Sequence, residues 1–205
     1  MKIRPRNRRL GILLSGRGSN FEAIADRVET GKLNAEIAVV IGNIESAPGL
    51  ARARTRGLNA IFNPSKGKSR EAFDAELVGT LQSNDVGLVV LAGFMRIFSL
   101  VMVEAYRNLI LNIHPSLLPS FPGRDVQQQA LHHGVKLSGC TVHLVDETLD
   151  AGPIILQAAV PVLDADTPEA LADRILVEEH RIYSEAIDLV LSGRCDLEGR
   201  RVRVA

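Results

Sequence analysis

An asparagine and a histidine two positions apart, Asn112 and His114, have the types and spacing in this chain best suited to chemistry. They lie in LNIHPSLLPSFPG, Leu111 to Gly123, where a run from Asn108 to Asn112 reads as the end of a strand. Successive side chains of an extended chain alternate faces, so this spacing points the carboxamide and the imidazole the same way. Pro115 disfavours the helical region at the residue before it, which keeps the backbone extended through His114. A carboxamide donor beside a ring that titrates near neutrality suits acyl transfer, where negative charge grows on a carbonyl oxygen. The plain alternative is a capping Asn beside a hydrogen-bonded loop His, and the spacing alone leaves both open.

A second candidate is the turn SGRGSN, Ser15 to Asn20, between an apolar run and a helical pattern. Gly16 and Gly18 permit backbone conformations that other residues resist. Ser19 with Glu22 matches an S-x-x-E capping box, which fixes the expected start of the helix. The amides of Gly18, Ser19 and Asn20 then stand near the positive end of a helix dipole, a ready anion site. A dinucleotide fingerprint needs a third glycine where Phe21 stands, so the reading is a cradle for one phosphate, with a mere tight turn as the alternative. Gly67-Lys68-Ser69 echoes the end of a phosphate loop, but Phe62 occupies the first glycine position and no suitable frame surrounds it.

The scaffold for these groups is written as apolar, β-branched runs alternating with helical patterns. Arg9–Ser15, Glu36–Gly42, Asn59–Phe62 and Val86–Leu91 read as strands; Asn20–Glu29, Gly49–Arg56 and Arg70–Gln82 read as helices. The run VGLVVL is of the kind buried on both faces of a parallel sheet. After Asn112 the pattern changes, and Ser138–Val145 with Ile154–Val160 suits an antiparallel pair. The expected fold is therefore α/β: a Rossmann-like doubly wound, mostly parallel sheet with an antiparallel extension, in one domain over residues 1–205. A long last helix is capped by Thr167 with Pro168 at its first position. Its apolar face runs through Leu171, Ile175, Ile182, Ala186 and Leu189, and Glu179 falls on the same face. A carboxylate there needs a partner, either an arginine of the chain or a ligand. The tail after Gly193 suits a small hairpin with Glu198-Gly199 at its turn.

Bulk properties narrow the class. Apolar residues make up 46% and charged residues 23%, an ordinary globular balance with room for a full core. The formal net charge is zero, which argues against nucleic-acid or membrane-surface partners. Lys2, Arg4, Arg6, Arg8 and Arg9 form a basic start, read as a solvated leader, because the apolar run behind it is too short for a signal peptide. Cys140 and Cys195 have no metal-ligand spacing and read as thiols in a reducing cytoplasm. His132-His133, next to Gly134, reads as a surface helix end, and no metal site is expected.

Taken together, SGRGSN, LAGFMRIF (Leu91 to Phe98), LNIHPSLLPSFPG, SGCTVHLVDETLDAGPIILQ (Ser138 to Gln157) and EEHRIY (Glu178 to Tyr183) resemble the phosphoribosylglycinamide formyltransferase family, folate-dependent enzymes of purine synthesis. The segments occur in the family's order over nearly the whole chain. The resemblance implies direct transfer of a formyl group from 10-formyltetrahydrofolate, the co-substrate, to the amine of glycinamide ribonucleotide, without a covalent enzyme intermediate or a metal. It implies that Asn112 donates to the oxyanion, that His114 is the general acid, and that Asp150 favours the charged imidazole and passes a proton through water. From the residues alone Asp150 is only a turn residue before Gly152-Pro153. The ribonucleotide would bind through Gly18, Ser19, Asn20 and Glu179. Folate would lie against Met95, Arg96, Ile97 and Phe98, Asn112, and the loop Asp146, Glu147, Thr148, Leu149 and Asp150, with Arg70 near its acidic tail. Ser116 to Lys136 aligns with a mobile loop, and the family admits a homodimer.

Some positions depart from the family pattern. Gln127 and Gln128 stand where a histidine and an arginine are common, and Leu176 replaces a polar residue near the ribose. Arg17 stands inside the anion turn, where the family often has a neutral residue; it either adds charge to phosphate binding or points to solvent. Two rival readings share the scaffold: a formyltetrahydrofolate hydrolase, and a non-catalytic nucleotide-binding module.

Overall fold

Alternation along the strand Arg9–Leu14 sends Leu10, Ile12 and Leu14 into one apolar cluster and Leu13 into another. This is the signature of a sheet buried on both faces, and it explains the unbroken apolar run. The computed structural model describes residues 1–204. Its strands are β1 (Lys2–Ile3), β2 (Arg9–Leu14), β3 (Glu36–Gly42), β4 (Ala60–Phe62), β5 (Leu88–Leu91), β6 (Ile110–His114), β7 (Leu137–Leu144), β8 (Ile154–Pro161), β9 (Cys195–Glu198) and β10 (Arg201–Val204). They form one sheet in the order β1-β9-β10-β8-β7-β6-β5-β2-β3-β4. Strands β4, β3, β2, β5 and β6 run parallel; β7 is antiparallel to β6, and β8 to β7. The doubly wound sheet with an antiparallel extension is therefore as expected.

The helices are α1 (Ser19–Glu29), α2 (Pro48–Thr55), α3 (Arg70–Ser83), α4 (Leu100–Ala105), α5 (Val126–His132) and α6 (Pro168–Leu191). Residues of α1, α2, α5 and α6 pack into the first cluster, and those of α3 and α4 into the second. The short helix α4 was not anticipated, whereas α5 ends at His132 with His133 as its C-cap, where a surface helix end was expected. Thr167 does cap α6, accepting from Ala170 N at 3.2 Å, with Pro168 at the first turn.

Three local expectations are corrected. There is no capping box at Ser19: the N-cap of α1 is Gly18 in the left-handed region (φ 76°), Ser19 is already helical, and Glu22 pairs instead with Arg52 at 2.9 Å. The basic start is only partly solvated, since β1 pairs with β9 and Ile3 is fully buried. The tail hairpin forms one residue later than read, joining β9 and β10 through Gly199 and Arg200.

Strand order reverses beside β2, whose neighbours are β3 and β5. In doubly wound sheets the crevice at the carboxyl ends of strands flanking such a switch point is where ligands bind. The turns leaving β2 and β5 meet there. Ser15 N donates to Gly93 O at 3.1 Å, and the Ser15 hydroxyl accepts from Met95 N at 2.9 Å while donating to Asn43 Oδ1 at 2.7 Å.

Candidate active site

Strand β6 continues through His114, as the proline after it dictates. Leu111 and Ile113 enter the first cluster and Ile110 the second, so Asn112 and His114 share the face that carries α3 and α4. On β7, Cys140, Val142 and Leu144 point to the first cluster, which turns Thr141 and His143 toward Asn112 and His114. The register agrees: Asn112 lies opposite His143, and His114 opposite Thr141.

The loop from Val145 to Pro153 brings Asp150 back to these residues. Its Oδ2 lies 3.5 Å from His114 Nδ1 and accepts from Gly123 N at 2.9 Å, while Oδ1 lies 3.8 Å from His143 Nε2. Asp150 adopts a left-handed backbone (φ 49°), which a short polar side chain tolerates. The three groups read from the resemblance are thus brought together, with the His114 and Asp150 side chains almost wholly out of solvent. His114 Nε2 lies 2.9 Å from Phe121 O, a carbonyl that can only accept, so this nitrogen carries a proton. A charged ring satisfies both contacts at once, with Nε2–H on Phe121 and Nδ1–H facing Asp150.

The start of the Ser116 to Lys136 segment is pinned down. Thr141 Oγ1 donates to Ser116 O at 2.7 Å and accepts from Leu118 N at 3.0 Å, and Gln157 Nε2 donates to Leu118 O at 2.9 Å. The Ser116 hydroxyl is bonded to Ser120 O at 2.6 Å.

The second group forms at the amino end of α1. Gly18, Ser19 and Asn20 supply the first turn, its N-cap unfilled by any side chain, so the amides there remain for an anion. The turn holds its shape through close backbone approach: Gly49 N donates to Gly16 O at 3.0 Å, and a Cβ on Gly18 would meet Gly49 Cα at 2.8 Å. Glu179, from α6, is buried, and its partner is Asn20 and not an arginine: Asn20 Nδ2 donates to Glu179 Oε2 at 2.7 Å. Burial pushes the Glu179 carboxyl above its ordinary range, opposed by the Asn20 bond. Asn20 Oδ1 is buried without a hydrogen-bond partner among the described residues, an acceptor left facing this corner. Arg17 is exposed, and its carbonyl is held by Arg52 at 2.9 Å.

Between the two groups runs the segment after β5. Met95 and Ile97 are more than half exposed, as is Leu149 across on the loop of Asp150, which offers an apolar surface. Arg96 lies over the Phe73 ring at 5.2 Å, and Arg70 is exposed at the start of α3. Phe98 differs from its neighbours: its ring is buried and stacks on Phe94 at 5.6 Å, so the side chain supports this segment from beneath. Asp146 accepts from Thr148 N at 2.9 Å, and Glu147 and Thr148 are exposed on the rim.

Two contributors escaped the sequence reading. Asp74 is fully buried and accepts from both Ser99 N (2.5 Å) and Ser99 Oγ (2.7 Å), anchoring the Met95–Phe98 segment to α3. Burial pushes its carboxyl up, against the pull of the two Ser99 bonds. His143 touches Asn112, with Nε2 3.2 Å from Asn112 Nδ2. The signal for it was present, since a histidine two residues after Thr141 shares that residue's face. Among the described residues no cluster of acidic, cysteine and histidine side chains could hold a metal, and no helix is long and apolar enough to cross a membrane.

Comparison with known proteins points the same way as the geometry. The sequence model of the formyl transferase family matches residues 8–187. A crystal structure of glycinamide ribonucleotide transformylase 1 from Symbiobacterium toebii superposes with a TM-score of 0.95 at 54% identity, covering 97% of this chain and 94% of that one. Phosphoribosylglycinamide formyltransferase of Escherichia coli (strain K12) is 43% identical over 184 residues, 89% of this chain and 87% of its own length. The trifunctional purine biosynthetic protein adenosine-3 of Bos taurus is 43% identical over 192 residues, 93% of this chain. This chain spans only 19% of that relative's length.

Proposed function

The chain belongs to the formyl transferase family, and from that membership we propose that it moves a formyl group from 10-formyltetrahydrofolate to the amine of glycinamide ribonucleotide, a step of purine biosynthesis. One observation carries the reading: Asn112, His114 and Asp150 converge on one face of β6, beside a separate anion turn at the amino end of α1.

In this reading the phosphate rests on the amides of Gly18, Ser19 and Asn20, where the helix dipole favours negative charge. The buried Glu179 and the free Asn20 Oδ1 accept hydroxyl protons of the sugar. Folate lies against Met95, Ile97 and Leu149, with Arg96 and Arg70 placed for its carboxylates. The amine attacks the formyl carbon, forming a C–N bond and driving charge onto the formyl oxygen. Asn112 donates to that oxygen, and the charged His114 beside it adds its field in a site largely closed to water. Breaking the folate N–C bond returns that nitrogen as N–H, while the attacking nitrogen loses one proton, so the sum is neutral. His114 gives its proton to the folate nitrogen, and Asp150 passes the proton lost by the amine back to the ring through a bound water, which restores the imidazole. Both ring nitrogens of His114 are engaged, so donation requires the contact to the Phe121 carbonyl or the one to Asp150 to open. We place the whole reaction in a single domain, with no metal, and in the cytoplasm; a homodimer is compatible with it.

The direct test follows folate absorbance when the protein is mixed with 10-formyltetrahydrofolate, with and without glycinamide ribonucleotide. Turnover only with ribonucleotide is expected. Turnover without it means hydrolysis, and none at all means a binding module.

A further inference from the structure

We propose that His143 is a positioning residue: its bare Nε2 accepts one N–H of the Asn112 carboxamide and so aims the other N–H at the reacting carbonyl oxygen. The inference rests on the formyl-transfer reading, in which Asn112 meets the developing oxyanion.

The geometry fixes where the protons are. His143 Nδ1 lies 2.8 Å from Leu144 O, and a carbonyl only accepts, so Nδ1 carries hydrogen. The ring is 2% exposed, and burial pushes its basicity down, against the pull of the Asp150 carboxylate 3.8 Å from Nε2, so the neutral ring is the favoured form. A neutral imidazole with its proton on Nδ1 has a lone pair on Nε2. That nitrogen lies 3.2 Å from the terminal group of Asn112, which must therefore present its NH2. A half-turn of the carboxamide would set Oδ1 against the lone pair, at a repulsive distance. The opposed register of β6 and β7 holds the two residues face to face, with Val142 and Leu144 locked in the core on the other side.

The chemical consequence is directional. A carboxamide free to turn can offer either its donor or its acceptor to the formyl oxygen, and the acceptor would repel the growing charge. With one N–H spent on His143, the second is left for the oxyanion, and no reorganisation is needed during the reaction. His143 touches no reacting atom in this scheme and acts through Asn112 alone.

Two substitutions separate this role from packing. His143→Leu fills similar space without an acceptor, whereas His143→Gln restores an oxygen near the position of Nε2. We expect His143→Leu to lower kcat on the order of thirtyfold, with KM for both substrates within about threefold, and His143→Gln to return to within about fivefold of wild type. In an Asn112→Ala background, His143→Leu should change kcat by less than about twofold, because the group it acts through is gone. Nitrogen-15 spectra of the unaltered protein should show the His143 proton on Nδ1 throughout the neutral range.

Wild-type kcat in His143→Leu, a Gln variant no better than the Leu variant, or a proton on Nε2 would each overturn the proposal. The spectrum decides by itself if the Leu variant does not fold. A near-normal rate in Asn112→Ala instead overturns the transfer reading; a crippled Asn112→Ala beside a normal His143→Leu overturns only the role of His143.

Discussion

The Asp150 carboxylate lies 3.5 Å from His114 Nδ1 and, through the same oxygen, holds the amide of Gly123 at 2.9 Å. One acid therefore orients both the imidazole and the loop whose Phe121 carbonyl caps the ring's other nitrogen. Asp150→Asn keeps the shape but replaces the charge that faces Nδ1. The expected result is a kcat lower by roughly a hundredfold, with ribonucleotide KM changed little. Steady-state kinetics with each substrate varied would show it, and an equal rise in KM with unchanged kcat would assign Asp150 to binding.

Glu179 gives a prediction about pH. Burial raises its carboxyl above the ordinary 4.5, so the folded protein favours the protonated form. The associated stability is present below that ordinary value and is lost as pH rises through the raised one. Glu179→Gln stays neutral and avoids the loss. Urea unfolding between about pH 4 and pH 7 should therefore show the Gln variant gaining on wild type as pH rises. A gap that does not change with pH would contradict the raised carboxyl.

Gly18 is required by shape, not by chemistry. It lies at φ 76°, and a Cβ there would press on Gly49 Cα at 2.8 Å. Gly18→Ala should cost about 1–3 kcal/mol of stability through backbone strain. It should also raise ribonucleotide KM with kcat nearly unchanged, since the anion turn holds the phosphate and carries none of the three reacting groups. Thermal unfolding and kinetics on the same sample test both parts.

Asp74 controls the segment after β5 in the same indirect manner. Asp74→Ala leaves the buried Ser99 amide and hydroxyl without their acceptor, a loss of about 1–3 kcal/mol for each such group. The Met95–Phe98 segment should loosen, raising folate KM while ribonucleotide KM holds. An equal change in both constants would mean general destabilisation.

Much of this was legible in the residues because it was local. The unbroken run Val86–Leu91 gave a doubly buried strand, Pro115 kept His114 extended, and Thr167-Pro168 marked the start of α6. The Ser19–Glu22 capping box failed because Gly18 in the left-handed region starts the helix one residue early, which frees Glu22 for Arg52. Helices α4 and α5 are too short for a periodic pattern to declare itself. Glu179 was correctly marked as needing a partner, yet nothing local could choose Asn20, which arrives through the packing of α1 on α6. Asp150 joins the site by loop return, which no local spacing encodes, and the spacing of His143 from Thr141 points to the site only once the register of β7 on β6 is known.

The central claim is that the imidazole of His114 takes part in formyl transfer, and His114→Ala tests it most directly. Its kcat for ribonucleotide-dependent transfer should fall by at least about a hundredfold, while ribonucleotide affinity by calorimetry stays within about threefold of wild type. Formyl transfer near the wild-type rate by a folded His114→Ala protein would contradict the account.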